Sequence, residues 1–155
     1  MRKVAFLDTT VVCELLRIPG KSQRPDEVAE ALRERVGAGQ SLLLPTAAII
    51  ETGNQIAQLA DGRARRSCSE RFVEVLGLSA SGEAPWVLNA ATWDAGLLGA
   101  ICDGARGCPS LPDMASQGVG TGDISILGEA EAYERRVRRV EVEISTFDDQ
   151  LAAYA

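Results

Sequence analysis

The sequence contains no histidine in 155 residues, and Lys3 and Lys21 are its only lysines. Without histidine, a Ser-His-Asp triad, a Cys-His pair and a histidine general base are all excluded. The chemistry of any active site must therefore use carboxylates, hydroxyls, basic side chains, thiols or a metal. Aromatic residues are also scarce, at 5% of the chain, so extensive stacking on nucleic-acid bases is not expected.

No two cysteines form a C-x-x-C pair; the four are Cys13, Cys68, Cys102 and Cys108. With no histidine to assist them, a zinc site is not expected, and reduced thiols in a cytosolic protein are the simpler interpretation. No apolar run approaches the roughly 20 residues that cross a bilayer. Asp8 also interrupts the first apolar run too early for a signal peptide. We therefore expect a cytoplasmic protein that does not insert into membranes.

The formal net charge of −6 excludes a protein that coats nucleic acid by bulk attraction. It does not exclude an enzyme acting on nucleic acid, because cations bound by clustered carboxylates offset that charge locally. The hydrophobic fraction of 46% and the length suit one domain with a proper core. We expect residues 1–155 to form that single domain.

Short apolar runs alternate with stretches of helical periodicity along the chain. Strands are expected at residues 4–7, 41–44, 86–89 and 140–144, with helices between them. Strands separated by helices indicate an α/β fold in which a parallel sheet is flanked by helices. The last strand alternates apolar and charged residues, which is typical of a strand near a sheet edge. Residues 105–122 lack periodicity and are expected to form a long functional or mobile loop.

Four acidic residues stand at the ends of these predicted elements or beside them. Asp8 ends the first strand, and Glu51 lies in a helix among apolar neighbours. Asp123 opens a helix, and Asp148 follows the last strand. Strand carboxyl ends and helix starts lie on one edge of such a sheet, so the four carboxylates are expected to converge. Crowded carboxylates need a cation, and ligands that are all oxygen favour Mg²⁺ or Mn²⁺.

Each acid also has an ordinary structural interpretation. Asp8 and Asp123 are suited to capping helices, Glu51 to a solvated helix face, and Asp148 to a turn. Taken singly, none of them distinguishes a metal site from these roles. Their order and placement together favour a nuclease site, because divalent cations activate water and orient a phosphodiester.

Four motifs stand in the order FLDTTVVCELL, PTAAIIETGNQI, GTGDISILGEAEAY and STFDDQL. In this order they resemble the PIN-domain nuclease family, and the resemblance covers essentially the whole chain. It implies a three-layer α/β/α fold with a short parallel sheet. It also implies a ribonuclease that depends on Mg²⁺ or Mn²⁺, of the kind found in VapC-type toxins of prokaryotes, with RNA as substrate and an antitoxin protein as a possible partner.

The resemblance assigns roles to particular residues. It carries metal binding and catalysis onto Asp8, Glu51, Asp123 and Asp148, although the neighbouring Asp149 leaves the fourth position ambiguous. It matches Thr9 and Thr146 to hydroxyls that orient ligands or water, and Asn54 to a polar helper one helical turn beyond Glu51.

Basic and apolar surfaces supply candidate interaction sites. Arg63 and Arg66 are candidates for contacts with RNA phosphates, although pairing with a glutamate such as Glu70 explains them equally well. Apolar helix faces at residues 11–16 and 56–59 would suit a homodimer or an inhibitor helix, and core packing is the alternative.

Two rival functions remain open. A strand ending in Asp-x-Thr also suggests a haloacid-dehalogenase-type phosphatase with Asp8 as nucleophile, but Thr10 replaces the second aspartate of that motif. No lysine follows in the middle of the chain either. The other rival is a catalytically silent PIN-like module for binding or scaffolding, because a fold does not fix a function.

Overall fold

The sheet has four parallel strands. A computed structural model describes residues 1–155. The strands are β1 (Arg2–Leu7), β2 (Ser41–Leu44), β3 (Val87–Leu88) and β4 (Val140–Ser145), in the order β3-β2-β1-β4. All three pairings are parallel, and β1 pairs with β4 along its full length. The expected α/β class is confirmed, and β4 lies at the sheet edge as its alternating pattern predicted.

Eight helices connect and cover the strands in a three-layer α/β/α arrangement. They are α1 (Thr9–Leu15), α2 (Pro25–Gly37), α3 (Thr46–Ala57), α4 (Gly62–Ser81), α5 (Ala95–Asp103), α6 (Leu111–Ser116), α7 (Thr121–Arg136) and α8 (Asp149–Ala152). Local signals define their ends. Pro25 starts α2, the Asp61 side chain accepts a hydrogen bond from the Ala64 N–H to cap α4, and Gly82 ends α4 at φ +77°.

Strand β1 is the centre of the core. Residues 4–7 of this strand are fully buried, which explains their unbroken apolar sequence, since a central parallel strand has no wet face. Phe6 packs edge-to-face against Tyr133 of α7 with ring centroids 5.7 Å apart. Because β1 ends inside the core, the carboxylate that follows it is also buried.

Residues 105–122 differ from the prediction of a long functional or mobile loop without regular structure. They contain α6, and Met114 of this helix is buried in the core. Arg106 donates hydrogen bonds to the carbonyl oxygens of Val142 (3.1 Å) and Tyr154 (3.0 Å) and to the carboxylate of Glu134 (2.7 Å). A helix of six residues is too short to show periodicity in the sequence, and the anchoring contacts are made by distant residues.

The two apolar helix faces considered for partners belong largely to the core. Val11, Val12 and Leu16 are buried, as is Ile56, so they are not available to a second copy or an inhibitor helix. The exposed apolar side chains lie elsewhere, for example Val73 of α4 and Val87 of β3. None of the helices combines the length and apolar character required to cross a bilayer.

Candidate functional site

Asp8 lies at the carboxyl end of β1, and its side chain is 1% exposed. It occupies the N-cap position of α1, but its side chain makes no capping hydrogen bond. Instead, Oδ2 accepts hydrogen bonds from the hydroxyls of Thr10 (2.8 Å) and Thr146 (2.7 Å). Oδ1 is buried without any partner. A buried carboxylate oxygen without a partner is costly, so its presence indicates a site that expects a further ligand.

Glu51 projects from α3 and is half-buried. Its Oε2 accepts a hydrogen bond from the Thr9 hydroxyl at 2.9 Å. Burial raises the pKa of Glu51, the Thr9 hydrogen bond opposes this, and the negative charge of Asp8 adds to the increase. The Asp8 and Glu51 carboxylates are therefore close enough to repel each other.

Asp123 is the residue most affected by its neighbours. Burial raises its pKa to about 7, and the charges of Asp8, Glu51 and Asp148 raise it in the same direction. Its helix is preceded by Gly120 as N-cap and has no side-chain cap, so Asp123 is not used as one. Four segments distant in sequence thus share one electrostatic field at this edge of the sheet.

Asp148 both caps a helix and contributes to this field. Its Oδ1 accepts a hydrogen bond from the Gln150 N–H (2.9 Å), and its own N–H donates to the Thr146 hydroxyl (3.0 Å). The neighbouring Asp149 is exposed and is not among the charges that act on Asp123. This placement favours Asp148 over Asp149 as the fourth carboxylate.

Gly122 allows α7 to approach Glu51. A Cβ at this position would overlap the Glu51 carboxyl group and lie 2.8 Å from its Cγ. The residue before Asp123 therefore has to be glycine for Glu51 to keep its position.

For the metal-dependent cleavage that the sequence leads us to expect, replacing Gly122 with alanine should lower the rate by about 10²-fold, because displacing a catalytic group by about 1 Å has effects of that size. The free energy of unfolding should change by less than about 1 kcal/mol, since the clash is with a flexible side chain. Cleavage rates and denaturation curves measure both. Gly120→Ala is the matched control, because a Cβ there meets no atom within 4 Å. Equal activities of the two variants would contradict the proposed role of the close approach.

The residue types fit a hard divalent cation, although the side chains are not gathered into a finished ligand set. No three or more acidic or cysteine side chains are placed to hold one ion. The available carboxylate ligands are all oxygen, and Asp8 Oδ1 lacks a partner. Burial and, after it, repulsion by the neighbouring acids raise the pKa of Asp123. Mg²⁺ and Mn²⁺ suit such ligands, and repulsion between uncompensated carboxylates favours their separation.

Other residues selected from the sequence lie outside this cluster. Asn54 is exposed and makes no hydrogen bond to the acids. Arg66 donates a hydrogen bond to Glu70 at 2.6 Å, which is the ion pair considered as its alternative. Arg63 is exposed, and neither arginine contacts any of the four carboxylates.

Two residues were missed from the sequence. Thr10 contacts Asp8, and its hydroxyl also accepts a hydrogen bond from the Phe147 N–H (2.9 Å), which links the start of α1 to the turn after β4. The only available signal was its position two residues after Asp8.

Glu129 of α7, the other missed residue, is 1% exposed. It lines a cavity of about 390 Å³ that contains none of the four acids. Burial raises its pKa to about 7. Asn89, the Thr46 N–H and Trp93 face this carboxylate, but none of them makes a hydrogen bond of normal geometry.

Comparison with known proteins gives solved structures of similar fold. No family model matches the sequence, and no curated protein matches it. FitAcB from Neisseria gonorrhoeae aligns with a TM-score of 0.60 at 19% identity, covering 97% of this chain and 91% of that one. The fold is PIN-like.

A second structure with the PIN-like fold is VapBC2 from Rickettsia felis, which is bound to a DNA fragment from the VapBC2 promoter. It aligns with a TM-score of 0.51 at 12% identity, covering 92% of this chain and 99% of that one. Identities this low establish the PIN-like fold alone, so the function depends on the chemistry of the carboxylate site.

Proposed function

We propose that this chain is a ribonuclease that hydrolyses RNA phosphodiester bonds with Mg²⁺ or Mn²⁺. The observation that supports this most directly is the buried Asp8 Oδ1, which has no partner and lies among the other acids. Burial, together with the charges of Asp8, Glu51 and Asp148, raises the pKa of Asp123 to about 7. A cluster of this kind, with no histidine anywhere in the chain, suits a hard cation better than general acid–base catalysis by the side chains alone.

The proposal gives each carboxylate a role. Asp8, Glu51 and Asp123 would hold one ion, and Asp148 would complete its ligands or recruit a second ion. A bound cation would lower the pKa of water and offset the charge of the phosphodiester.

Threonine hydroxyls orient the carboxylates that would bind the cation. Thr146 and Thr10 hold Oδ2 of Asp8, which leaves Oδ1 for the cation, and Thr9 holds Oε2 of Glu51. These contacts reduce the rotameric freedom that the ligands would otherwise lose on binding.

The same proposal includes the setting of the enzyme. We place it in the cytoplasm as a single domain and as the toxin partner of an antitoxin protein. A homodimer is part of the same proposal, formed through surfaces other than the two buried helix faces. The VapC-type resemblance supports this, and the structurally similar VapBC2 was solved on promoter DNA.

Cleavage of a labelled single-stranded RNA by the purified protein tests the activity. We expect cleavage with Mn²⁺ or Mg²⁺, products with 5′-phosphate and 3′-hydroxyl ends, and no cleavage in EDTA until the metal is restored. Calorimetry should show Mn²⁺ binding that Asp123→Ala removes. Absence of Mn²⁺ binding to the unmodified protein would favour the silent PIN-like module, and a trapped phosphoaspartate at Asp8 would favour the phosphatase.

A further inference from the structure

A groove of about 320 Å³ adjoins the carboxylate site. Thr10, which donates to Asp8, forms part of its wall, and so does Phe147, which lies next to Asp148. Cys13 lines the same groove and lies between opposite charges. Its pKa is raised to about 11, mainly by burial; the charge of Lys21 opposes this, and the charges of Asp8, Glu51 and Glu14 add to it. The groove therefore adjoins the carboxylate site, and its own charged lining residues are Lys21, Arg24 and Glu14.

Two basic side chains of the groove are uncommitted. Lys21 and Arg24 line it and are exposed, and neither forms an ion pair with any carboxylate. This differs from Arg66, which pairs with Glu70. Unpaired cations on a chain with net charge −6 are suited to an anionic ligand.

The loop that carries these cations is held by the carboxylate of Glu14, which also lines the groove. Glu14 is 7% exposed and accepts hydrogen bonds from the Gln23 N–H, the Arg24 N–H and the Ser22 hydroxyl. Burial alone would raise the pKa of Glu14, but these hydrogen bonds and the Arg24 charge more than offset it and lower the pKa. The backbone of residues 22–24 is therefore fixed, while the Lys21 and Arg24 side chains face the groove.

Phe147 provides an aromatic surface beside the cations. Its ring is 48% exposed, and the Arg24 guanidinium lies 5.6 Å from the ring centroid. The Thr10 hydroxyl holds its backbone N–H, so the ring is positioned by a residue that also contacts Asp8. An exposed aromatic ring in one groove with two cations that form no ion pair is a combination that can bind a base and its phosphate in single strands.

We propose that Lys21, Arg24 and Phe147 form a subsite for single-stranded RNA beside the four carboxylates. Lys21 and Arg24 bind a backbone phosphate, and Phe147 stacks on an adjacent base. This rests on the proposed ribonuclease function and specifies its substrate, because only unpaired bases can reach the ring. On this proposal, Lys21 and Arg24 contact the phosphate in place of Arg63 and Arg66.

Binding without cleavage tests the subsite. Fluorescence anisotropy of a labelled single-stranded RNA in EDTA, at about 50 to 200 mM salt, measures affinity when no metal is present. The double variant Lys21→Ala/Arg24→Ala should bind about 10-fold to 100-fold more weakly, with a salt slope smaller by about 1 to 2. Phe147→Ala should lose about 5-fold to 100-fold with an unchanged slope, since stacking does not displace counterions.

Arg63→Ala/Arg66→Ala is the matched control, because it removes the same charge from α4 outside the groove. It should change affinity by less than about twofold. Equal weakening by both double variants would overturn the subsite and indicate general charge attraction. Tighter binding of duplex than of single strands would also overturn it.

Cleavage assays separate this inference from the proposed function. Normal Mn²⁺-dependent cleavage and normal binding by the groove variant would reject the subsite and leave the ribonuclease intact. Groove-dependent binding of RNA without any cleavage in Mn²⁺ would reject the ribonuclease and leave the binding surface.

Discussion

Replacing Asp8 with asparagine is expected to reduce metal-dependent RNA cleavage by about 10³-fold or more while leaving the fold intact. Asp8 is central to the site because its buried Oδ1 has no partner within the protein. Asparagine has nearly the same shape but carries no charge, so it would bind a divalent cation far more weakly.

The fold is expected to tolerate this change. The asparagine oxygen can accept the hydrogen bonds that Thr10 and Thr146 now donate to Asp8. The substitution also removes one of the charges that raise the pKa values of Glu51 and Asp123. The free energy of unfolding of the metal-free protein should therefore be unchanged or increased.

Cleavage rates and calorimetric Mn²⁺ binding of Asp8→Asn measure the effect. Asp149→Asn is the matched control, since it removes the same charge from an exposed position beside the site. The control should keep its rate within about twofold. If Asp8→Asn cleaves as fast as the unmodified protein, Asp8 is not a ligand and the proposed site is wrong.

Asp123→Asn is expected to stabilise the metal-free protein at pH 8 while abolishing cleavage. Burial and three neighbouring acids raise the pKa of Asp123 to about 7, so at pH 8 the folded state holds an unfavourable charge. One pKa unit corresponds to about 1.4 kcal/mol, but the half-exposed position weakens the effect, so we expect a gain of about 1–2 kcal/mol. For a chain of this size the melting temperature should rise by roughly 2–8 °C.

The pH dependence of stability follows from the same shift. The unfolded state loses the Asp123 proton near its ordinary pKa of 3.8, whereas the folded state keeps it until about pH 7. The unfolded state therefore binds fewer protons in this range, and stability falls as pH rises from about 4 to 7. Glu129, whose pKa burial also raises to about 7, contributes with the same sign.

Urea denaturation in EDTA between pH 4 and pH 8 separates the two groups. Asp123→Asn and Glu129→Gln should each remove part of the decrease, and the double variant should remove most of it. In a parallel series without EDTA, added Mn²⁺ should stabilise the unmodified protein and Glu129→Gln but not Asp123→Asn, because only a folded state with intact ligands gains from binding. A decrease that persists in the double variant would show that other groups control it.

The sequence was informative wherever local chemistry decides the structure. The apolar run before Asp8 predicts a strand buried on both faces, and the alternation of residues 140–144 predicts an edge strand with one exposed face. Both predictions follow because the number of buried faces determines which positions are apolar. Asp123 and Asp148 follow from the same logic, since their positions depend on where elements begin and end. Convergence of such ends at one edge is a general property of parallel sheets.

The features that were not predicted depend on contacts between distant segments. Thr9 and Thr10 are indistinguishable in sequence, yet one contacts Glu51 and the other contacts Asp8. The position of Arg24 depends on Glu14, which holds the backbone of its loop, and on Phe147, whose ring centroid lies 5.6 Å from its guanidinium. Glu129 is buried because of how α7 packs. The charged residues beside it in the sequence gave no indication of that burial.

Pairing of β1 with β4 has a consequence for the order of assembly. The Thr146 hydroxyl orients the Asp8 carboxylate, and the two residues are separated by 138 positions in the sequence. Closing so large a loop is slow and requires the chain from β1 to residue 146 to have left the ribosome. A chain synthesised only as far as α7 therefore lacks the Thr146 hydroxyl that orients Asp8, and on the proposed function it could not yet cleave the RNA of the machinery that makes it.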